Sequence, residues 1–130
     1  MKAKPRDGYR SELEAKFAKA TAKTKDFDYE PYDIPYMTYR HYRPDFVDKR
    51  TGIMIECKGF FREGDVMKYK AIRDTGGKEL VFLLSSEYTK VRKGAKMNMG
   101  QWCDKEGLPW FTLQTMTELL EYLKGRPDHE

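Results

Sequence analysis

The chain has 130 residues, enough for one core and too few for two, so a single domain over 1–130 is expected. Its charged fraction of 35% exceeds the roughly 25% of an average soluble domain, and the net charge of +4 is unevenly placed: from Asp104 on, six acidic residues face three basic ones, leaving +7 on the preceding stretch. Two cysteines, Cys57 and Cys103, with no paired Cys or His motif exclude a disulfide framework and a zinc module, and the longest aliphatic or aromatic run, Leu80 to Leu84, excludes a membrane span. Both cysteines are expected as small buried apolar residues, and the chain as a soluble, cytoplasmic protein.

Residues 1–9 read as a flexible basic tail. A helix follows over 11–23, with Leu13, Phe17 and Ala20 on its inward face and Lys16, Lys19 and Lys23 off it. Ser11 and Glu14 have the spacing of a capping box, in which Glu14 reaches back to a backbone amide. From the residues by themselves, that cap is the favoured role of Glu14. The stretch 28–43 is rich in Tyr and Pro and has no helical period. Pro31 and Pro35 favour an extended arm, which in so small a domain invites strand exchange between two copies.

Two short strands come next, Pro44 to Asp48 and Ile53 to Lys58, joined by the hairpin loop Lys49-Arg50-Thr51-Gly52. Centring the loop between Arg50 and Thr51 pairs Asp48 with Ile53, Val47 with Met54, and Asp45 with Glu56. Alternation then puts Met54, Glu56 and Lys58 on one face and Ile53, Ile55 and Cys57 on the other, which reads as the core side. Two like charges directly opposed cost about what favourable cross-strand pairs gain, roughly 0.2–1 kcal/mol. Either Lys58 offsets this as a plain salt-bridge partner, or a hard divalent cation does. Carboxylates without thiolate or imidazole beside them suit Mg²⁺ or Mn²⁺. A basic surface around a small acidic site suits a polyanion held while a metal acts on it, which makes nucleic acid the leading substrate class.

A second helix is predicted over 65–75, with Met67, Ala71 and Ile72 inward and Gly76-Gly77 ending it. Leu80 to Leu84 is a continuous apolar strand of the kind covered on both faces, so strand, helix and strand form a parallel βαβ crossover. A short helix near 100–106, a strand at 110–112 and a last helix over 116–124, capped by Thr115 and Glu118 and stopped by Gly125, complete the domain. The segment 88–96 carries Lys90, Arg92, Lys93 and Lys96 without an acid, at the end of a central strand where ligands of open α/β sheets usually bind. Phosphate contact and a solvated loop are both compatible with it; Lys16 and Arg43 join it as candidate DNA contacts. His41 and His129 sit in no ligand or triad spacing.

Pro44-Asp45, ten residues, then Glu56-Cys57-Lys58 resembles the PD-(D/E)xK nuclease pattern. Further residues resemble one branch, the phage endonuclease I family of Holliday-junction-resolving enzymes: Arg10-Ser11, Leu13-Glu14, Phe27, Tyr29-Glu30, Pro44-Asp45-Phe46, Lys58-Gly59, Ser85-Ser86, Thr89-Lys90, Lys93-Gly94, Gly100, Cys103, Lys105 and Gly107. The resemblance implies a restriction-endonuclease-like α/β fold, a mixed sheet flanked by helices, as a domain-swapped, intertwined homodimer whose 28–43 arm bridges to the partner subunit. It also makes Glu14 a catalytic carboxylate supplied by the other chain, Asp45 and Glu56 metal ligands together with Glu14, and Lys58 the residue that orients the attacking water or holds a phosphate oxygen. The implied activity is Mg²⁺- or Mn²⁺-dependent cleavage of four-way and branched DNA. The alternatives are a nicking or sequence-targeted endonuclease of the same fold, and a non-enzymatic DNA-binding module whose Asp45 and Glu56 merely pair with Lys58.

Overall fold

The computed structural model describes residues 8–129; residues 1–7 of the expected basic tail, and residue 130, lie outside it. The chain forms two compact units, dividing between Tyr39 and Arg40.

In the first unit, helix α1 spans Glu12–Ala20. Ser11 is its N-cap and its hydroxyl accepts the Glu14 N–H at 3.1 Å, while the Glu14 carboxylate accepts the N–H of Arg10 at 3.0 Å. The expected box thus forms with Glu14 reaching one residue further back. The helix stops three residues before the predicted end. Thr21 turns its hydroxyl onto the Phe17 carbonyl at 2.8 Å, a local bond that competes with continuing the helix. The expected inward face is not buried within this unit: no residue of α1 is buried, and Leu13 is 78% and Phe17 52% exposed. Beyond the helix the chain takes neither helix nor strand up to Tyr39, and Tyr32, Ile34, Tyr36, Met37 and Tyr39 are exposed.

The second unit is a four-stranded mixed sheet in the order β1-β2-β3-β4, made of Phe46–Val47, Met54–Lys58, Leu80–Leu84 and Trp110–Phe111. Strands β1 and β2 form the antiparallel hairpin, with Val47 opposite Met54 as the loop predicts, and Asp48 N–H donates to Ile53 O at 2.9 Å. Gly52 closes the turn at φ +75°, a left-handed conformation that glycine adopts without strain. Strands β2 and β3 are parallel, joined by α2 (Asp65–Thr75), and β3 and β4 are parallel, joined by α3 (Met99–Lys105). Helix α4 (Met116–Lys124) ends the fold.

Strand β3 is apolar throughout because both faces are covered. Leu80, Phe82 and Leu84 enter the larger core with Tyr69 of α2 and Met99, Trp102 and Cys103 of α3; Val81 packs on the other face with Ile53 and Leu119 of α4. Four expectations are corrected. Because β2 pairs in register with β3, placing Glu56 beside Phe82, the Glu56 face meets the larger core instead of facing away from it, and Cys57 on the opposite face is exposed. Within α2 the inward residues are Asp65, Tyr69 and Ile72, whereas Met67 and Ala71 are exposed: the large Tyr69 ring outweighs Met67 and finds a partner for its hydroxyl. The Thr115 hydroxyl accepts the Thr112 N–H at 2.8 Å, closing the turn before α4, so it does not cap α4 itself. Helix α3 starts at an Asn98–Gln101 capping box. Among the described residues no helix is long and apolar enough to cross a membrane.

Candidate active site

Asp45 stands one residue before β1, and its carboxylate accepts the backbone N–H of Cys57 at 2.8 Å. This bond holds the side chain against β2 between Glu56 and Lys58. Glu56 is 7% exposed, an unusual position for a carboxylate, and it is matched by donors. The Tyr42 hydroxyl donates to its Oε1, the Tyr69 hydroxyl to its Oε2 at 3.1 Å, and Lys58 Nζ lies 4.0 Å from Oε2. Two hydroxyls occupy only part of the roughly four lone-pair directions of a carboxylate, so Glu56 retains acceptor capacity.

Both phenols are pushed well above their ordinary pKa. For Tyr42 the causes are burial, then the bond to Glu56; for Tyr69 they are burial, then the Glu56 charge. They therefore remain protonated donors. The charge of Asp45 acts on both hydroxyls in the same direction, which makes Asp45, Glu56, Tyr42 and Tyr69 one electrostatic group.

Lys58 ends β2. Its ammonium is 3.3 Å from Asp65 Oδ2 and 5.3 Å from the Tyr69 ring centroid. Asp65, buried at the first turn of α2, also accepts the Arg62 N–H at 2.8 Å. Sequence reasoning missed Asp65, Tyr69 and Tyr42. The i, i+4 spacing of Asp65 and Tyr69 puts them on one helix face, but nothing local says that this face meets β2.

Among the described residues no group of three or more His, Cys, Asp or Glu side chains converges to hold a metal. The donor chemistry of Asp45 and Glu56 still fits Mg²⁺ or Mn²⁺, because Mg²⁺ is commonly held by one or two carboxylates, with waters and substrate phosphates filling its shell. A soft metal fits poorly: the partial withdrawal of the surface-exposed Cys57 thiol from water, then the charges of Asp45 and Glu56, raise its pKa and disfavour the thiolate such a metal needs.

Glu14 belongs to the other unit, where its carboxylate also accepts the Tyr29 hydroxyl at 2.8 Å, and Arg10 pairs with Glu30 at 3.2 Å. Of the candidate DNA contacts, Lys16 lies exposed on α1 and Arg43 exposed two residues before Asp45. Lys90, Arg92, Lys93 and Lys96 are exposed on the loop after β3, which buried Val91 pins down and the Val91 N–H to Met97 O bond of 3.1 Å closes. That loop leaves the sheet beside Lys58, since Ser85 N–H donates to Lys58 O at 3.0 Å.

The phage endonuclease I family model matches residues 1–120. The chain is 36% identical over 105 residues to the endodeoxyribonuclease 1 of Enterobacteria phage T3, covering 77% of this chain and 68% of that protein. It is 33% identical over 105 residues to the endonuclease I of Escherichia phage T7, covering 77% and 70%. With the family matched across nearly the whole chain, and with Asp45 bonded to the strand that carries Glu56 and Lys58, this protein belongs to the phage endonuclease I family.

Proposed function

We propose that this protein is a metal-dependent endodeoxyribonuclease that hydrolyses phosphodiesters of four-way and other branched DNA, working as an intertwined homodimer in the cytoplasm of the phage's host. Family membership supports the nuclease chemistry. The observation that carries the site is the clamp of Asp45 onto the Cys57 amide, beside buried Glu56 and with Lys58 on the same strand.

In this reading Asp45 and Glu56 hold the metal, with Glu14 of the partner subunit as the third carboxylate. Bound Mg²⁺ or Mn²⁺ supplies the positive charge that polarises the phosphodiester and acidifies the attacking water. Tyr42 and Tyr69 keep Glu56 in one orientation, so the carboxylate needs no reorganisation as charge develops. Lys58, held by Asp65, orients the water or a phosphate oxygen. Lys90, Arg92, Lys93 and Lys96, with Arg43 and Lys16, hold the DNA backbone without reading bases. The dimer is supported by the exposed Leu13 and Phe17 of α1 and the exposed apolar arm, surfaces that a single chain leaves in water.

The test is cleavage of a four-way junction against its component duplexes, with and without Mg²⁺. Junction cleavage that needs Mg²⁺ and disappears in Glu56→Ala is expected. Equal cleavage of the duplexes would favour a nicking or sequence-targeted enzyme, and full activity in folded Glu56→Ala would remove the site assignment.

A further inference from the structure

Asp65, Lys68 and Tyr69 stand at i, i+3 and i+4 of α2 and so share one helix face. Asp65 and Tyr69 are accounted for by Lys58 and Glu56. Lys68 is not. Its ammonium lies 5.5 Å from the Tyr42 ring centroid and 5.3 Å from that of Tyr69, the two phenols whose hydroxyls donate to Glu56. Among the described residues no carboxylate pairs with it, and it is exposed.

The contrast with Lys58 is informative. Lys58 lies 3.3 Å from Asp65 and 4.0 Å from Glu56, so much of its charge is answered inside the protein. Aromatic faces hold a cation in place without cancelling its charge, because the ring quadrupole carries no net charge. Lys68 is thus an exposed cation seated over two rings, with no carboxylate paired to it among the described residues, one tyrosine away from the carboxylate assigned to the metal. A DNA strand whose phosphate reaches Glu56 would bring a phosphate within range of such a cation.

We propose that Lys68 is a phosphate-binding residue of this site, holding a backbone phosphate of the cleaved strand from its seat on the Tyr42 and Tyr69 rings. The proposal rests on the nuclease reading above. It assigns Lys68 to substrate binding, since the rings fix its position before DNA arrives.

The experiment measures junction affinity of the full chain against salt concentration in metal-free buffer, and KM and kcat for junction cleavage with Mg²⁺. Lys68→Gln keeps the stem over the rings and removes the charge; Lys68→Arg keeps a cation that stacks on rings and binds phosphate. The logarithmic salt slope of Lys68→Gln is expected to fall by about 0.9 for each Lys68 in the binding species. KM should rise more than kcat falls, and Lys68→Arg should restore both slope and KM. Lys124→Gln on α4, whose charge pairs with Glu121 at 3.9 Å, should leave the slope unchanged. An unchanged slope in Lys68→Gln, no rescue by Arg, or an equal drop in Lys124→Gln would overturn the proposal. If the unaltered protein cleaves junctions while Lys68→Gln binds and cleaves as it does, only the Lys68 assignment fails. If the unaltered protein cleaves no DNA with Mg²⁺, the nuclease reading itself fails.

Discussion

The two units of this chain use their apolar residues in opposite ways. Seven aromatic residues fall within the first 39 positions and eleven within the following 91, so the N-terminal unit is the richer of the two. Yet no residue of α1 is buried, while the unit from Arg40 on packs Tyr69, Phe82, Leu84, Met99 and Trp102 into one core. Composition therefore does not explain the difference. A sheet offers two faces, and helices close both; a nine-residue helix has no partner surface of its own and is shorter than the roughly 12–15 residues an isolated helix needs to persist in water. It is kept by the Ser11 cap and by edge-on contacts of Phe17 with Phe27 at 5.1 Å and of Tyr9 with Tyr29 at 4.7 Å. The C-terminal unit is stabilised from within, whereas the N-terminal unit leaves Leu13 and Phe17 exposed, the surface on which the proposed dimer rests.

The sharpest way to break that comparison is complementation. Glu14→Gln and Asp45→Asn are each expected to lose more than about 100-fold of junction cleavage, since removing only a neighbour of a metal ligand already costs roughly 10–100-fold. Mixed dimers of the two variants should regain activity, because sites that draw Glu14 and Asp45 from different chains leave one site per heterodimer intact. Mixed dimers as inactive as the parents would mean that both carboxylates act within one chain. The next effect is on association. Leu13→Ser should weaken the dimer by roughly one to two orders of magnitude per side chain, the equivalent of losing about 1.5–3 kcal/mol of leucine burial. Sedimentation velocity at micromolar concentration reads this, and an unchanged dimer would place the interface elsewhere. The smallest effect falls inside the C-terminal unit. Tyr69→Phe removes one donor from the buried Glu56 carboxylate and should cost about 1–3 kcal/mol of stability without changing dimerisation. A melting temperature equal to that of the unaltered protein would show that Glu56 does not depend on that hydroxyl.

Much of the C-terminal unit was legible before any coordinates. The hairpin register follows from one turn, because the charge and glycine of Lys49 to Gly52 locate the loop and strand alternation does the rest. Helix α2 matches its predicted limits of 65–75 because Gly76, at φ +80°, ends it, and the unbroken apolar run of β3 announced two covered faces. The site was legible only in part. Asp45, Glu56 and Lys58 follow from spacing, whereas Asp65, Tyr69 and Lys68 had to be carried to them by a helix crossing over the sheet.

What the sequence by itself determined is what local geometry determines: the hairpin turn, the pairing of Val47 with Met54 and the limits of α2. Only the tertiary structure decided which face of β2 is covered. Alternation marked the Glu56 face as polar and hence as solvent-facing, but a charge is buried wherever enough donors converge on it. Tyr42 comes from fourteen residues before Glu56 and Tyr69 from thirteen residues after it. No period within one strand encodes that convergence, and it is what turns an acid on a hairpin strand into a buried carboxylate bonded by two tyrosines, with Lys58 and Lys68 both over the Tyr69 ring.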